Sequence, residues 1–225
     1  MKIVFIRHGH PNYELDCLTE LGHKQAEAAG ERLKDEHFDL MFSSGCGRAY
    51  ETACHVAKRH GLEVTKLDFM SELNWGQQGS DDYAHPWEIS DKWVREGSPL
   101  MDPNWQSSSD YTGHSFLNSF AAASEGFDKW IECFGLKREG QYYRITEKND
   151  ITVLLASHAG SSGAILSHLT GIPFPLVIRS MSPTYTAITE AVFDGKVGDL
   201  TTPRFTLMND ANHIKGITVD NVFGR

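Results

Sequence analysis

The feature that most constrains the fold is a short apolar run that ends in three functional residues near the start of the chain. Residues 3–6 read Ile-Val-Phe-Ile and are followed at once by Arg7, His8 and Gly9. A run of this kind predicts a strand that is buried on both faces. Open α/β sheets bind ligands at the carboxyl ends of their strands. We therefore expect Arg7 and His8 at a phosphate-binding site, with Gly9 allowing a ligand to approach the backbone closely.

The remaining apolar and amphipathic segments follow the order expected of a parallel sheet with crossover helices. Strands are predicted at residues 2–6, 39–42, 64–67, 151–156, 185–192 and 205–208. Helices are predicted at residues 19–33, 47–60, 114–134 and 160–169. Thr19 is the expected N-cap of the first helix, and Gly61 closes the second. The predicted fold class is α/β: a three-layer α/β/α arrangement with a mainly parallel central sheet.

An aromatic-rich segment interrupts this pattern between about residues 74 and 109. It contains four of the five tryptophans, which are Trp75, Trp87, Trp93 and Trp105. Linkers seldom carry so many tryptophans, so we interpret the segment as short helices and loops folded over the sheet edge. The whole chain, residues 1–225, is predicted to be a single domain. Within it, residues 80–143 approximately are predicted to form an insertion that caps the site.

Composition narrows the class of ligand. The chain has 225 residues and a net charge of −9, which argues against a general nucleic-acid or anionic-membrane binder. An anionic substrate therefore needs a local cationic pocket. The four cysteines lack the spacing of a metal or disulfide framework, so we expect free thiols and a cytoplasmic location. The first apolar run is too short for a signal peptide, and no stretch approaches the length of a membrane span.

Three further segments supply the side chains that a phosphate site needs. His158 follows the apolar run at 151–156, as His8 follows the first run, so neighbouring strands would bring both imidazoles to one crevice. The helix after His158 would aim its free N–H groups, beginning with that of Ala159, at the same anion. Arg48 adds a second guanidinium after the second strand. Glu72 adds a carboxyl group on a glycine-rich turn.

Two alternatives remain open on the residues alone. Asp81 or Asp82 could supply the carboxyl group in place of Glu72. His8 and His10, spaced by one residue after a strand, also resemble the start of a metal-dependent hydrolase of the barrel type. That fold needs further His or Asp ligands at later strand ends, and His158 is the single good candidate here.

Together, these segments resemble the ordered motifs of the histidine phosphatase superfamily, which has the phosphoglycerate mutase-like fold. The resemblance runs from residue 3 to about residue 213 and leaves residues 80–143 unmatched. The motifs that carry it are Arg7-His8-Gly9, residues 18–26 (LTELGHKQA), Ser43-Ser44 with Arg48-Ala49 and Glu51-Thr52-Ala53, Glu72 with Gly76 and Gly79, Ser157-His158 with Gly160, and Asn209-Asp210 with His213.

The resemblance implies a role for each of the site residues. His8 would attack phosphorus as a neutral imidazole and form a phosphohistidine. Arg7, Arg48 and His158 would clamp the equatorial oxygens of the phosphoryl group in flight. Glu72 would protonate the leaving alkoxide and then take a proton from the hydrolytic water. The predicted phosphate contacts are Arg7, His8, Asn12, Arg48, His158 and Ala159.

One departure from the family pattern favours hydrolysis over phosphoryl exchange. Mutases of the family carry a longer stretch between the Arg-His-Gly motif and the Leu-Thr motif, whereas residues 10–17 alone separate them here. We predict a phosphomonoester hydrolase that acts on a small phosphorylated metabolite, with no metal, cofactor, nucleic-acid partner or membrane partner. The alternatives are a phosphoglycerate-type mutase, a phospho-ligand-binding scaffold on the same fold, and a metal-dependent hydrolase. The oligomeric state is left open.

Overall fold

The middle layer of the fold is a six-stranded sheet in a computed structural model that describes residues 1–217. The last eight residues of the predicted single domain, 218–225, lie outside the described residues. The strands of the described chain are β1 (Lys2–Arg7), β2 (Pro11–Asn12), β3 (Cys17–Leu18), β4 (Leu40–Ser44), β5 (Val64–Leu67), β6 (Leu136–Glu139), β7 (Tyr142–Ile145), β8 (Thr152–Ser157), β9 (Ile188–Val192), β10 (Leu200–Thr201) and β11 (Arg204–Asp210).

Six α-helices flank these strands. They are α1 (Glu20–Arg32), α2 (Gly47–His60), α3 (Pro86–Glu96), α4 (Ser115–Glu132), α5 (Ala159–Thr170) and α6 (Phe174–Ser180). Thr19 caps α1 as predicted, because its hydroxyl accepts the N–H of Gly22. Gly61 ends α2 in the left-handed conformation, which is also as predicted.

The central sheet has the strand order β11-β9-β1-β8-β4-β5. Four of its strands, β1, β8, β4 and β5, are parallel, and β9 pairs antiparallel with both β1 and β11. In β1, Ile3 and Phe5 face one core, while Val4 and Ile6 face a second core formed with α1 and α2. Successive side chains of a strand point to opposite faces. The predicted three-layer α/β/α class is therefore confirmed.

The register between β1 and β8 fixes the position of the site. Arg7 lies opposite Ser157 in this parallel pair. His8 and His158 follow these two residues directly, so both histidines leave the sheet side by side at its carboxyl edge. The crevice expected from two similar strand ends is therefore built by ordinary parallel pairing.

The structure differs from the predicted elements mainly near the predicted insertion and the last strands. The strand predicted over 185–192 starts only at Ile188, because Thr186 has a positive φ of 52° that breaks the extended backbone. The β6–β7 hairpin and helix α6 were not predicted. The hairpin pairs with β10, and Tyr143 packs on Phe193. The backbone N–H of Phe193 donates a hydrogen bond to the carbonyl of Met1, so the hairpin lies at the amino end of β1, away from the two histidines.

The aromatic segment packs with α4 and α6 into the same hydrophobic core as Ile3 and Phe5 of β1. The ring of Trp105 lies 5.0 Å from that of Tyr111 and 5.7 Å from that of Phe174, measured between centroids. The indole N–H of Trp93 donates to Asp110 at 2.7 Å. These tryptophans serve packing, which supports reading the segment as folded chain rather than linker. Across residues 1–217, the helices are all too short or too polar to pass through a membrane.

Candidate active site

His8 is buried and has one ring nitrogen already engaged. Its Nδ1 lies 2.7 Å from the carbonyl oxygen of Gly9, an acceptor that requires Nδ1 to carry the proton. In the neutral ring the lone pair is therefore on Nε2. Burial, followed by the charge of Arg7 and the proximity of His158 and Arg48, lowers the pKa of His8 well below its usual 6.5. The site thus holds a neutral imidazole with a free lone pair at physiological pH.

His158 faces His8 with 5.1 Å between the ring centroids. Its Nε2 lies 2.8 Å from the hydroxyl of Ser44, which also accepts the N–H of Cys46. The buried Nδ1 of His158 has no hydrogen-bond partner within residues 1–217. Burial and then the charges of Arg48 and Arg7 lower its pKa well below 6.5. Nδ1 is therefore available to an incoming ligand that accepts or shares a proton.

Arg7 is buried beside the two imidazoles. Its Nη1 donates to the carbonyl of Pro183 at 2.8 Å, and its guanidinium carbon lies 4.3 Å from the centroid of the Tyr185 ring. Burial raises the pKa of Tyr185 to about 12, so the phenol stays neutral. The Tyr185 ring also lies 5.8 Å from that of His8. Tyr185 thus fixes the plane of the guanidinium by a cation–π contact.

Arg48 supplies the second guanidinium from the first turn of α2. Its Nη1 is paired with Oδ1 of Asp16, and the N–H of Gly47 donates to Oδ2 of the same carboxylate at 2.7 Å. The hydroxyl of Thr52 donates to the carbonyl of Arg48 and accepts the N–H of Gly9. Asp16 therefore holds the guanidinium, while Thr52 joins the backbone of the first turn of α2 to Gly9 of the first motif.

Glu72 reaches the amino end of α5 and binds the backbone there. Its Oε1 accepts the N–H of Ser161 at 3.0 Å, and Oε2 accepts that of Gly160 at 3.3 Å. Burial raises the pKa of this carboxyl group, opposed by these N–H groups and by Arg7. The expectation that the helix would offer its N–H groups to an anion needs correction, because Glu72 already occupies two of them. The N–H of Ala159 is the first of the turn and is not among them.

Gly9 serves a different contact from the one predicted. A Cβ atom on Gly9 would lie 2.6 Å from the carbonyl oxygen of Gly22 in the first turn of α1. The missing side chain therefore allows a helix, rather than a ligand, to approach the backbone. The motif glycine holds α1 against the end of β1.

The weaker candidates are placed as follows. Asp82 binds the N–H and hydroxyl of Ser115 and so caps α4, which leaves Glu72 as the carboxyl group beside the histidines. Asp81 is exposed. The side-chain oxygen of Asn12 accepts the N–H groups of residues 14 and 15, so it stabilises the loop between β2 and β3. The contacts of Asp82 stabilise the start of α4, and those of Asn12 stabilise its own loop.

His10 lies beside the site but is held by a neighbour. Its Nδ1 is 2.9 Å from the hydroxyl of Thr19, and its ring meets that of Tyr185 edge-on. Within residues 1–217 no three His, Cys, Asp or Glu side chains are arranged to hold a metal ion. The four cysteines are free thiols, as predicted.

Two residues of the site were missed by sequence reasoning. Asp16 contacts Arg48 from a four-residue loop, and Tyr185 stacks on Arg7 from just before β9. Neither residue has a periodic pattern or a strand-end position of the kind that identified His8 and His158. Tyr185 is the first residue of the strand predicted over 185–192, and that position gave no sign of a contact with Arg7.

Comparison with known proteins agrees with this geometry. A family model described as histidine phosphatase superfamily (branch 1) matches residues 3–206. A 2,3-bisphosphoglycerate-dependent phosphoglycerate mutase of Bartonella tribocorum is 32% identical over 76% of this chain and 82% of its own. Phosphoserine phosphatase 1 of Hydrogenobacter thermophilus is 34% identical over 34% of this chain and 40% of its own.

A solved structure supports the same fold. A phosphoserine phosphatase variant from Entamoeba histolytica, in complex with phosphoserine, superposes with a TM-score of 0.64 at 21% identity, covering 95% of this chain and 99% of its own. The six-stranded sheet, the paired histidines and the ordered motifs all fit the family whose model spans most of the sequence. This chain belongs to the histidine phosphatase superfamily.

Proposed function

We propose that this chain hydrolyses small phosphate monoesters through a phosphohistidine formed at His8. The observation that carries the proposal is the state of the His8 ring: Nδ1 is fixed on the carbonyl of Gly9, and the second ring lies 5.1 Å away. A nucleophile needs its lone pair free at neutral pH, and the lowered pKa of His8 meets that need.

In the first step, Nε2 of His8 attacks phosphorus, so that a nitrogen–phosphorus bond forms as the bond to the ester oxygen breaks. Arg7, Arg48 and His158 stabilise the charge on the three equatorial oxygens, which is the dominant contribution in phosphoryl transfer. Glu72 gives its proton to the departing alkoxide. The raised pKa of Glu72 keeps that proton available at a higher pH than for an ordinary glutamate.

In the second step, Glu72 takes a proton from water as the water oxygen attacks the phosphoryl group. The nitrogen–phosphorus bond breaks, inorganic phosphate leaves, and both His8 and Glu72 return to their starting protonation states. The predicted cap is retained in this proposal for residues 80–132, because the hairpin that follows lies at the amino end of β1.

The test is release of inorganic phosphate from a panel of phosphorylated metabolites that includes phosphoserine and glycerol 3-phosphate. We expect the unmodified chain to release phosphate from at least one ester, and His8→Ala to release none above background. His23→Gln, at a half-exposed position on α1, is the matched control and should keep full turnover. Turnover by His8→Ala equal to that of the control would overturn the proposal.

A mutase activity is the second candidate, favoured by the 32% identity to a phosphoglycerate mutase. A mutase returns the phosphoryl group to a second phosphoglycerate instead of giving it to water. We expect 3-phosphoglycerate supplied with 2,3-bisphosphoglycerate to yield inorganic phosphate and no 2-phosphoglycerate. Interconversion of the two phosphoglycerates faster than phosphate release would replace hydrolysis by the mutase reaction.

A further inference from the structure

The loop between β2 and β3 places a carboxylate against the proposed phosphate clamp. Asp16 uses both oxygens, one on Nη1 of Arg48 and the other on the N–H of Gly47 at 2.7 Å. Its backbone has a positive φ of 48°, the left-handed conformation that aspartate adopts more readily than most residues. The two contacts of its carboxylate therefore hold the loop against Arg48 and Gly47.

Gly47 makes the close approach possible. A Cβ atom on Gly47 would collide with the backbone oxygen of Asp16, so a larger residue at the start of α2 would push the loop away. The ring of Tyr13, in the same loop, lies 5.4 Å from the guanidinium carbon of Arg48. The contacts of Asp16, Gly47 and Tyr13 thus hold the loop against Arg48.

The two side chains of this ion pair differ in their exposure to solvent. The side chain of Arg48 is 10% exposed, whereas that of Asp16 is 45% exposed, so Asp16 stands on the solvent side of the buried guanidinium. The partly exposed negative charge of Asp16 therefore lies beside the cation that would hold the phosphoryl oxygens.

We propose that Asp16 determines specificity, by disfavouring phosphate esters whose leaving group carries a second anionic group. This inference rests on the proposed function. In a three-carbon ester, a second anion lies only a few ångströms from phosphorus, so an ester held by Arg48 would bring that anion close to Asp16. Two like charges within a Debye length, about 8 Å at physiological ionic strength, repel each other. Esters with a neutral or ammonium-bearing leaving group do not meet this repulsion.

A pair of matched substrates tests the inference. Glycerol 3-phosphate and 3-phosphoglycerate have the same three-carbon length, and the second carries a carboxylate where the first has a hydroxyl group. We expect the unmodified chain to have the higher kcat/KM for glycerol 3-phosphate. The specificity ratio is the kcat/KM for glycerol 3-phosphate divided by that for 3-phosphoglycerate. Asp16→Asn should reduce this ratio by about five- to tenfold, as expected for two partly screened charges near a protein surface.

The ratio cancels any loss of activity that both substrates share. Asp16→Asn keeps one acceptor oxygen, and Asp16→Ser removes the charge with a smaller side chain, so agreement between them assigns the effect to charge. Glu14→Gln, at an exposed acidic position in the same loop, is the control and should leave the ratio unchanged. Thermal melts of all variants show whether each is folded.

Three outcomes separate the possible explanations. An unchanged ratio with an equal fall in kcat for both substrates would make Asp16 a purely structural support of Arg48 and overturn the inference. An equal change of ratio in Glu14→Gln would assign the effect to the general charge of the loop and also overturn it. If the unmodified chain released no phosphate from any ester, the proposed function itself would fail.

Discussion

At the scale of single residues, burial shifts the pKa of the proposed nucleophile and the pKa of the proposed acid in opposite directions. Burial lowers the pKa values of His8 and His158 and raises that of Glu72. In each case desolvation is the largest cause, and it favours the neutral form of the group. Neutral imidazole and neutral carboxyl are the states that the two-step reaction needs at its start.

The first prediction at this scale concerns the leaving group. Glu72→Gln keeps the shape of the side chain but cannot donate the same proton. We expect it to slow the hydrolysis of alkyl phosphates by about 10²-fold or more. The hydrolysis of nitrophenyl phosphate should slow much less, because nitrophenolate leaves without a proton. Steady-state kcat on both esters is the measurement. Equal losses on the two substrates would contradict the role of Glu72 as proton donor.

The second prediction concerns pH. Activity falls at low pH when His8 gains a proton, and it falls at high pH when Glu72 loses its proton. Since burial lowers the pKa of His8 and raises that of Glu72, we expect a bell-shaped profile in which His8 sets the acid limb and Glu72 sets the alkaline limb. With an alkyl phosphate, whose leaving group needs a proton, Glu72→Gln should lose the alkaline limb of kcat/KM and keep the acid limb. An alkaline limb that survives in this variant would assign it to another group.

At the scale of elements, the site depends on close contacts between the amino end of one helix and a loop side chain. A Cβ atom on Gly160 would lie 2.5 Å from Oε1 of Glu72, so the first turn of α5 accepts this carboxylate only with glycine there. The N–H groups of that turn bind the carboxylate, and a helix N-terminus stabilises negative charge. The same contact therefore positions Glu72 and limits how far its pKa rises.

A glycine substitution in α5 tests this contact. We expect Gly160→Ala to displace Glu72 and to lower kcat for alkyl phosphates by about tenfold to hundredfold, since general acid catalysis is lost in part. Gly163→Ala is the matched control, because a Cβ there would meet only side-chain carbons of Phe174, Val177 and Ile178. Nitrophenyl phosphate hydrolysis should change little in either variant. An equal effect on both esters would place the damage elsewhere in the site.

At the scale of the whole molecule, burial of the histidines between the layers makes the free energy of unfolding depend on pH. Unfolded histidine has a pKa near 6.5, whereas folded His8 and His158 have lower values. The unfolded chain therefore binds more protons below pH 6.5. The folded state is therefore not penalised above pH 6.5, where the histidines are neutral in both states. It loses stability as the pH falls below 6.5 towards the lowered pKa values of the folded state.

Denaturant unfolding across pH tests this linkage. The free energy of unfolding should fall between pH 7 and pH 5, by up to about 1.4 kcal/mol per pH unit for each buried histidine. A variant with both His8→Asn and His158→Asn should show a shallower fall. His37→Gln, at an exposed position, should follow the unmodified chain. A double variant with an undiminished slope would assign the loss to other groups.

The sequence predicted the layers, the parallel strands and the side chains that lie at strand ends. His8 and His158 could be found because each follows a fully apolar run, and the register of β1 and β8 then brings them together. Asp16 and Tyr185 could not be found, because their contacts join loops that are distant along the chain. The β6–β7 hairpin was missed because three of the four residues of β6 are charged and so give no apolar signal.

The central claim is that phosphorus becomes bonded to His8 during turnover. The most direct test is rapid quenching with a radioactively labelled ester, followed by mapping of the labelled peptide. We expect an acid-labile, alkali-stable phosphoryl group on the peptide that contains His8, formed as fast as turnover and absent from His8→Ala. Label retained in His8→Ala, or found on a peptide without His8, would contradict the account.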